Sequence, residues 1–139
     1  MSDVLADTHA IIWFLFDPPR LTPAADAALS TAALSGKLFI SAITLVEVSY
    51  LSSKKSFPYS SVFPRLISLA IDSQEPLEVL PLTLEIANMM DQIPRAEIPD
   101  MPDRIVAATA ATHKLPLVSA DSDIQKSNSL QALIKIIWN

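Results

Sequence analysis

The chain has 139 residues, half of them hydrophobic, and carries a net charge of −5 from 15 acidic and 10 basic side chains. That size suits one domain spanning residues 1–139 with a substantial core, and charged residues at 18% with no long polar tract argue against disorder. The absence of cysteine excludes disulfides, thiolate catalysis and cysteine-based zinc sites. The opening MSDVLADTHA has no signal-peptide character, and the longest apolar run, Ala10 to Phe16, is too short for a membrane helix, so a soluble cytoplasmic protein is expected.

In chain order, Val4 to Ala6 reads as a short strand, followed by an apolar helix from Thr8 to Phe16 that Asp17, Pro18 and Pro19 halt. A second helix starts at Thr22 as N-cap with Pro23 in the first helical position, and ends at Gly36, the only glycine. Leu38 to Ser41 is a strand, and AITLVEVSYLSSK has the composition of a helix. A further helix near Ser60 to Ile71 is expected to pair with it across the polar SSKKSFP turn. Leu77 to Leu82 reads as a strand and Leu84 to Met90 as a helix that stops before Pro94. The proline-punctuated loop IPRAEIPDMP leads into the alanine-rich helix DRIVAATAATHK, then come strands at Leu117 to Ser119 and Ile134 to Trp138. Strands alternating with helices predict an α/β fold: a mostly parallel sheet of four to five short strands, covered on both faces because each parallel crossover needs a helix-length connection.

Four carboxylates stand out against this frame. Asp7 and Asp121 each follow an apolar strand, and in a parallel sheet those carboxyl ends share the edge where α/β proteins bind ligands. Each is equally explained alone as a helix N-cap. Glu47 has Ile43, Tyr50 and Leu51 as its helical neighbours, so it lies in an apolar stripe where an unpaired carboxylate is costly. Asp103 opens a helix whose face continues through Ala107 and Ala110, small enough for close packing that turns the acid inward. Asp100 reads as a loop or capping acid, and Asp123 falls beyond its strand end.

Convergence of these acids in one crevice requires cations, and hard oxygen ligands suit Mg²⁺ or Mn²⁺. Such a cluster suits phosphoryl chemistry, and it removes the objection that an acidic chain is poorly matched to nucleic acid, because bound metals reverse the local charge.

The succession LADTHAIIWFL, SAITLVEVSYL, PDMPDRIVAATA and LVSADSDI resembles the four acidic motifs of PIN-domain nucleases, specifically VapC-type toxins of bacterial toxin–antitoxin pairs. The resemblance runs in order over nearly the whole chain. It implies a three-layer PIN-like fold and a Mg²⁺- or Mn²⁺-dependent endoribonuclease acting on tRNA or other structured RNA, restrained by an antitoxin and favouring a homodimer. Position by position, Asp7, Glu47, Asp103 and Asp121 match the family's metal-binding acids, and Thr8 and Ser119 match hydroxyl positions beside them.

The remaining features have simpler readings. His9 is expected to pack or make a local hydrogen bond, His113 to sit at a helix end, and Trp13, Phe14, Phe16 and Trp138 to be core or packed-strand residues. Lys54 and Lys55 read as a solvated turn. Arg20, Arg65, Arg95 and Arg104 are weak candidates for touching RNA, and the apolar helices flanking the lysine turn suggest a groove for an antitoxin segment. Two other functions fit the pattern less well: a non-enzymatic α/β interaction module whose acids are caps and surface charges, and a phosphatase-like hydrolase, for which DTH lacks a second acid.

Overall fold

A computed structural model describes residues 2–139. The elements are β1 (Val4–Ala6), α1 (Thr8–Phe16), α2 (Pro23–Ser35), β2 (Leu38–Ser41), α3 (Ala42–Ser52), α4 (Val62–Ile71), β3 (Leu77–Leu80), α5 (Leu84–Met89), α6 (Met101–His113), β4 (Leu117–Val118), α7 (Ser122–Lys126), α8 (Asn128–Gln131) and β5 (Ile136–Ile137).

The five strands form one parallel sheet in the order β3-β2-β1-β4-β5. Successive strands move outward from β1 on one side through β2 and β3, and the chain then crosses to the other side to lay down β4. The switch falls between β1 and β4, where the backbones leaving adjacent strands diverge and open a crevice at the carboxyl edge. Register fixes what meets there: Leu5 pairs with Leu117 and Ala6 with Val118, so the residues following the two strands, Asp7 and Ser119, emerge side by side.

Alternation along the strands divides the core into two layers. Val4, Ala6, Leu38, Ile40 and Val118 face a cluster with Ile11, Ile12, Leu29, Val48 and Leu66 from α1 to α4. Leu5, Leu117 and Phe39 face the opposite side, against Ile86, Ile93, Ile98, Ala107, Ala110 and Ile124. Ala107 and Ala110 are fully buried, as expected of a helix packed closely by small side chains.

Several boundaries differ from the sequence expectation, each for a local reason. β3 stops at Leu80 because Pro81 has no N–H to donate to a ladder. α6 starts at Met101 and not at Asp103, with Asp100 in its expected capping role and Pro102 accommodated in the first turn, where no intrahelical donor is required. Gly36 ends α2 as expected, at a φ of −147°, and a Cβ there would displace the side-chain tips of Ser2 and Asp3. β5 covers only Ile136 and Ile137, and the short α8, capped by Ser127, precedes it. Among the described residues, no helix is long and apolar enough to cross a membrane.

Candidate active site

Asp7 directly follows β1 and caps α1, its Oδ1 accepting from the Ala10 N–H at 2.8 Å. The capping role and a site role coincide, because the same carboxylate faces the crevice. Asp7 is only 4% exposed, and its Oδ2 accepts from the Ser119 hydroxyl at 2.5 Å. Ser119, fully buried at the end of β4, also accepts from the Asp121 backbone N–H at 3.1 Å. One hydroxyl therefore ties the two strand-end loops together. Asp121 in turn caps α7 through the Ile124 N–H at 3.0 Å, and Gln125 Nε2 donates to the Ser119 carbonyl at 2.9 Å, which fixes that turn.

The opposite wall comes from α3 and α6. Glu47 is half-buried and its Oε1 accepts from Thr8 Oγ1 at 2.6 Å. Thr8 Oγ1 also lies 3.1 Å from Thr44 Oγ1; since Thr8 has one hydroxyl proton and Glu47 receives it, Thr44 is the donor to Thr8. Tyr50, a neighbour of Glu47 along the helix, is 63% exposed, so Glu47 sits at the edge of its apolar stripe and not within it. Asp103 occupies the first turn of α6, and its N–H donates to Asp100 Oδ2 at 3.1 Å.

Asp7, Thr8, His9, Trp13, Glu47, Asp100, Asp103, Ala120 and Asp121 line one cavity of about 380 Å³. The four acids singled out from the sequence thus meet in one place with both hydroxyl residues beside them. Asp100 joins them, whereas Asp123 is exposed and lies outside the lining. Sequence reasoning missed Thr44, though its position three residues before Glu47 puts both on one helical face. His9 packs on its helical neighbour Trp13 as expected, and Trp13 packs against the core cluster of α1 to α4, but His9 is exposed, Trp13 is only half-buried, and both also line the cavity wall. Arg104 is not available to a ligand. Its Nε and Nη2 donate to the carbonyls of Ile93 at 3.0 Å and Met90 at 2.8 Å, closing the end of the α5 segment.

Electrostatically the cavity is uncompensated. Burial pushes the Asp103 carboxyl up to about 8, reinforced by Asp121, Asp100, Glu47 and Asp7 in that order. Burial also raises Asp7, opposed by its hydrogen bonds from Ser119 and Ala10. Glu47 is raised by desolvation and by Asp100, against the lowering effect of the Thr8 hydroxyl. Among the described residues, no three Asp, Glu or His side chains close around a single ion-sized point, and Asp7 and Glu47 are turned toward hydroxyl donors. The acids line a shared wall whose charge is held off by protonation and by those donors.

Comparison with known proteins agrees with this architecture. The family pattern described as PIN domain matches residues 4–128. Ribonuclease VapC22 of Mycobacterium tuberculosis is 30% identical over 122 residues, which cover 87% of this chain and 88% of that protein. The DNA-bound VapBC structure from Salmonella typhimurium superposes with a TM-score of 0.68 at 23% identity, covering 98% of this chain and 97% of the other. The VapBC2 structure from Rickettsia felis, bound to a promoter DNA fragment, gives 0.67 at 17% identity and covers 99% of each chain. At those identities the two structures bear on the fold, while the family match spans every one of the four acids. The chain belongs to the PIN-domain family.

Proposed function

We propose that this chain is a metal-dependent endoribonuclease, the toxin of a toxin–antitoxin pair, which hydrolyses phosphodiesters in tRNA or another structured RNA. The observation that carries the reading is the gathering of five carboxylates in one cavity with no lysine or arginine among its lining residues, to the point that Asp103 keeps its proton up to about pH 8. A protein that needed these acids only as caps would have no reason to turn them toward one another.

The donor set fits a hard cation: carboxylates and hydroxyls predominate, and His9 is the only imidazole in the wall. Asp7, Glu47, Asp103 and Asp121 are the residues that would hold Mg²⁺ or Mn²⁺. When bound, the ion supplies the positive charge that acidifies an attacking water and neutralises the leaving oxygen. Ser119 positions Asp7 and the Asp121 turn, and the Thr44–Thr8 relay orients Glu47, so the ligands are fixed by the fold. Asp103 would hold the ion in its carboxylate form.

Support for a partner comes from the same surface logic. Val46 is 62% exposed and forms, with Leu45, Ser49, Phe63 and Ile67, an apolar groove between α3 and α4 suited to an amphipathic segment of an antitoxin. The VapBC proteins that share the fold are toxin–antitoxin structures, and VapC22 is a ribonuclease; both agree with this reading. A homodimer is part of the proposal. The test is incubation of purified, antitoxin-free protein with total cellular RNA in Mg²⁺, Mn²⁺ or EDTA. Discrete fragments that need the divalent ion are expected; intact RNA in all three media, with ion binding absent by calorimetry, overturns the proposal.

A further inference from the structure

The nuclease reading leaves one wall of the cavity unexplained. Facing the acids are His9 and Trp13, one helical turn apart on α1. Their rings lie 5.6 Å apart at 51°, and Trp13 lies 6.1 Å from Trp138 at 49°. Arg20, exposed after α1, places its guanidinium 4.9 Å from the Trp13 ring centre. The tilts mean that neither aromatic neighbour covers an indole face by parallel stacking, so Arg20 lies over one face and the other is the one a base would use. Trp138 is positioned by the fold, since its carbonyl accepts from the Thr22 hydroxyl that also caps α2.

Packing against the core cluster accounts for only part of the indole. Ile11 and Ile12 on the same helix are fully buried, whereas Trp13 keeps part of its surface in a polar cavity. Binding energetics give it a use. A polyanion approaching this cavity meets five carboxylates, and the chain as a whole has fewer basic than acidic residues, so counterion release supplies little affinity. Stacking of a base on an aromatic ring is independent of net charge and is a large part of single-strand affinity in other proteins. Beyond Trp138 lies a second cavity of about 220 Å³ bordered by Gln125 and Gln131, whose amide nitrogens already donate to the Ser119 and Gln125 carbonyls and leave the amide oxygens as acceptors for a neighbouring base.

Resting on the nuclease reading, we propose that Trp13, flanked by His9, Trp138 and Arg20, is a stacking platform for an unpaired nucleobase beside the scissile phosphodiester. The site selects single-stranded RNA, because a base held in a duplex has no free face to offer. Arg20 meets the flanking phosphate at the rim of the acidic cavity.

The chain has two tryptophans, so Trp138→Phe keeps a ring at that position and leaves Trp13 as the sole indole reporter. Titrating this variant with an unstructured RNA octamer in Ca²⁺ and in EDTA should quench Trp13 fluorescence, and the same octamer annealed to its complement should not. In cleavage of a loop-containing RNA, Trp13→Leu should raise KM roughly 5- to 100-fold with kcat much less affected. Trp13→Phe should recover most of the loss, which separates stacking from a folding defect. No quenching in either medium, equal quenching by duplex, or an unchanged KM in Trp13→Leu overturns the platform while leaving the nuclease intact. Quenching by the octamer, with no cleavage of any RNA and no divalent-ion binding by the unaltered chain, upholds base stacking on Trp13 as a binding role alone and overturns the nuclease reading.

Discussion

Replacing Asp103 with asparagine removes one charge from the cavity while keeping nearly the same volume, and it should stabilise the metal-free protein. In the folded chain the Asp103 carboxyl holds its proton to about 8, against 3.8 ordinarily, because of burial and then of Asp121, Asp100, Glu47 and Asp7. The sign follows from proton counting: between those two values the folded state binds more protons than the unfolded state, so wild-type stability falls as pH rises through that interval and levels off above it. Asparagine carries no such slope. With the residue half-buried, discounting for solvent screening leaves a gain on the order of 2 kcal/mol at pH 8, a rise in melting temperature of roughly 6–10 °C. Thermal melts of both proteins in EDTA from pH 4 to pH 9 measure it. The curves should coincide near pH 4 and separate progressively, and added Mg²⁺ should shrink the difference by stabilising only the wild type. An Asp103→Asn protein whose advantage is absent at pH 8, or is the same at every pH, refutes the picture of a crowded, uncompensated acid cluster.

Other consequences follow from single contacts. Ser119→Ala removes the hydroxyl shared by Asp7 Oδ2 and the Asp121 N–H and should destabilise the protein by about 1–3 kcal/mol in urea titration, with a loss of cleavage greater than the loss of folded protein. Arg104→Ala leaves the Ile93 and Met90 carbonyls without their donor and should cost about 1.5–3 kcal/mol of stability; a variant of undiminished stability that binds RNA more weakly would instead make Arg104 an RNA contact. Glu97 is held below the usual carboxylate range by hydrogen bonds from Ser127 and Ser129, so the tie it makes between the 94–100 loop and α8 is complete above its ordinary value of 4.5 and weakens as pH falls below it. The protection factor of the Ser129 amide, its exchange rate corrected for the intrinsic pH dependence, should fall on acidification in the wild type and show no such pH step in Glu97→Gln.

The first third of the chain is written plainly in its sequence. Asp17, Pro18 and Pro19 end α1, and Thr22 with Pro23 starts α2, because caps and proline act within a few residues. Strand lengths are harder to read: Leu82 and Ile134 have the right composition, but Pro81 ends β3 before Leu82, and β5 pairs only over the two residues that β4 offers. The acids were legible because each sits at a fixed offset from an element boundary, and parallel register carries strand-end residues to one edge. Trp13 and His9 were not. Composition places an indole on an apolar helix in the core, and only the opening of the sheet between β1 and β4 leaves that helical face uncovered. Asp100 was ambiguous for a related reason, since a capping acid joins a site only if its helix start points there.

The central claim is that the carboxylates at the carboxyl edge of the sheet perform hydrolysis of RNA. The measurement that tests it most directly compares the unaltered chain with Asp7→Asn, purified identically and shown by circular dichroism to be folded, on total RNA in Mn²⁺. The account predicts specific fragments from the first and a loss of rate of at least about 100-fold in the second, the order found when a group that stabilises the transition state is removed. Cleavage undiminished in folded Asp7→Asn contradicts it and returns Asp7 to the single role of capping α1.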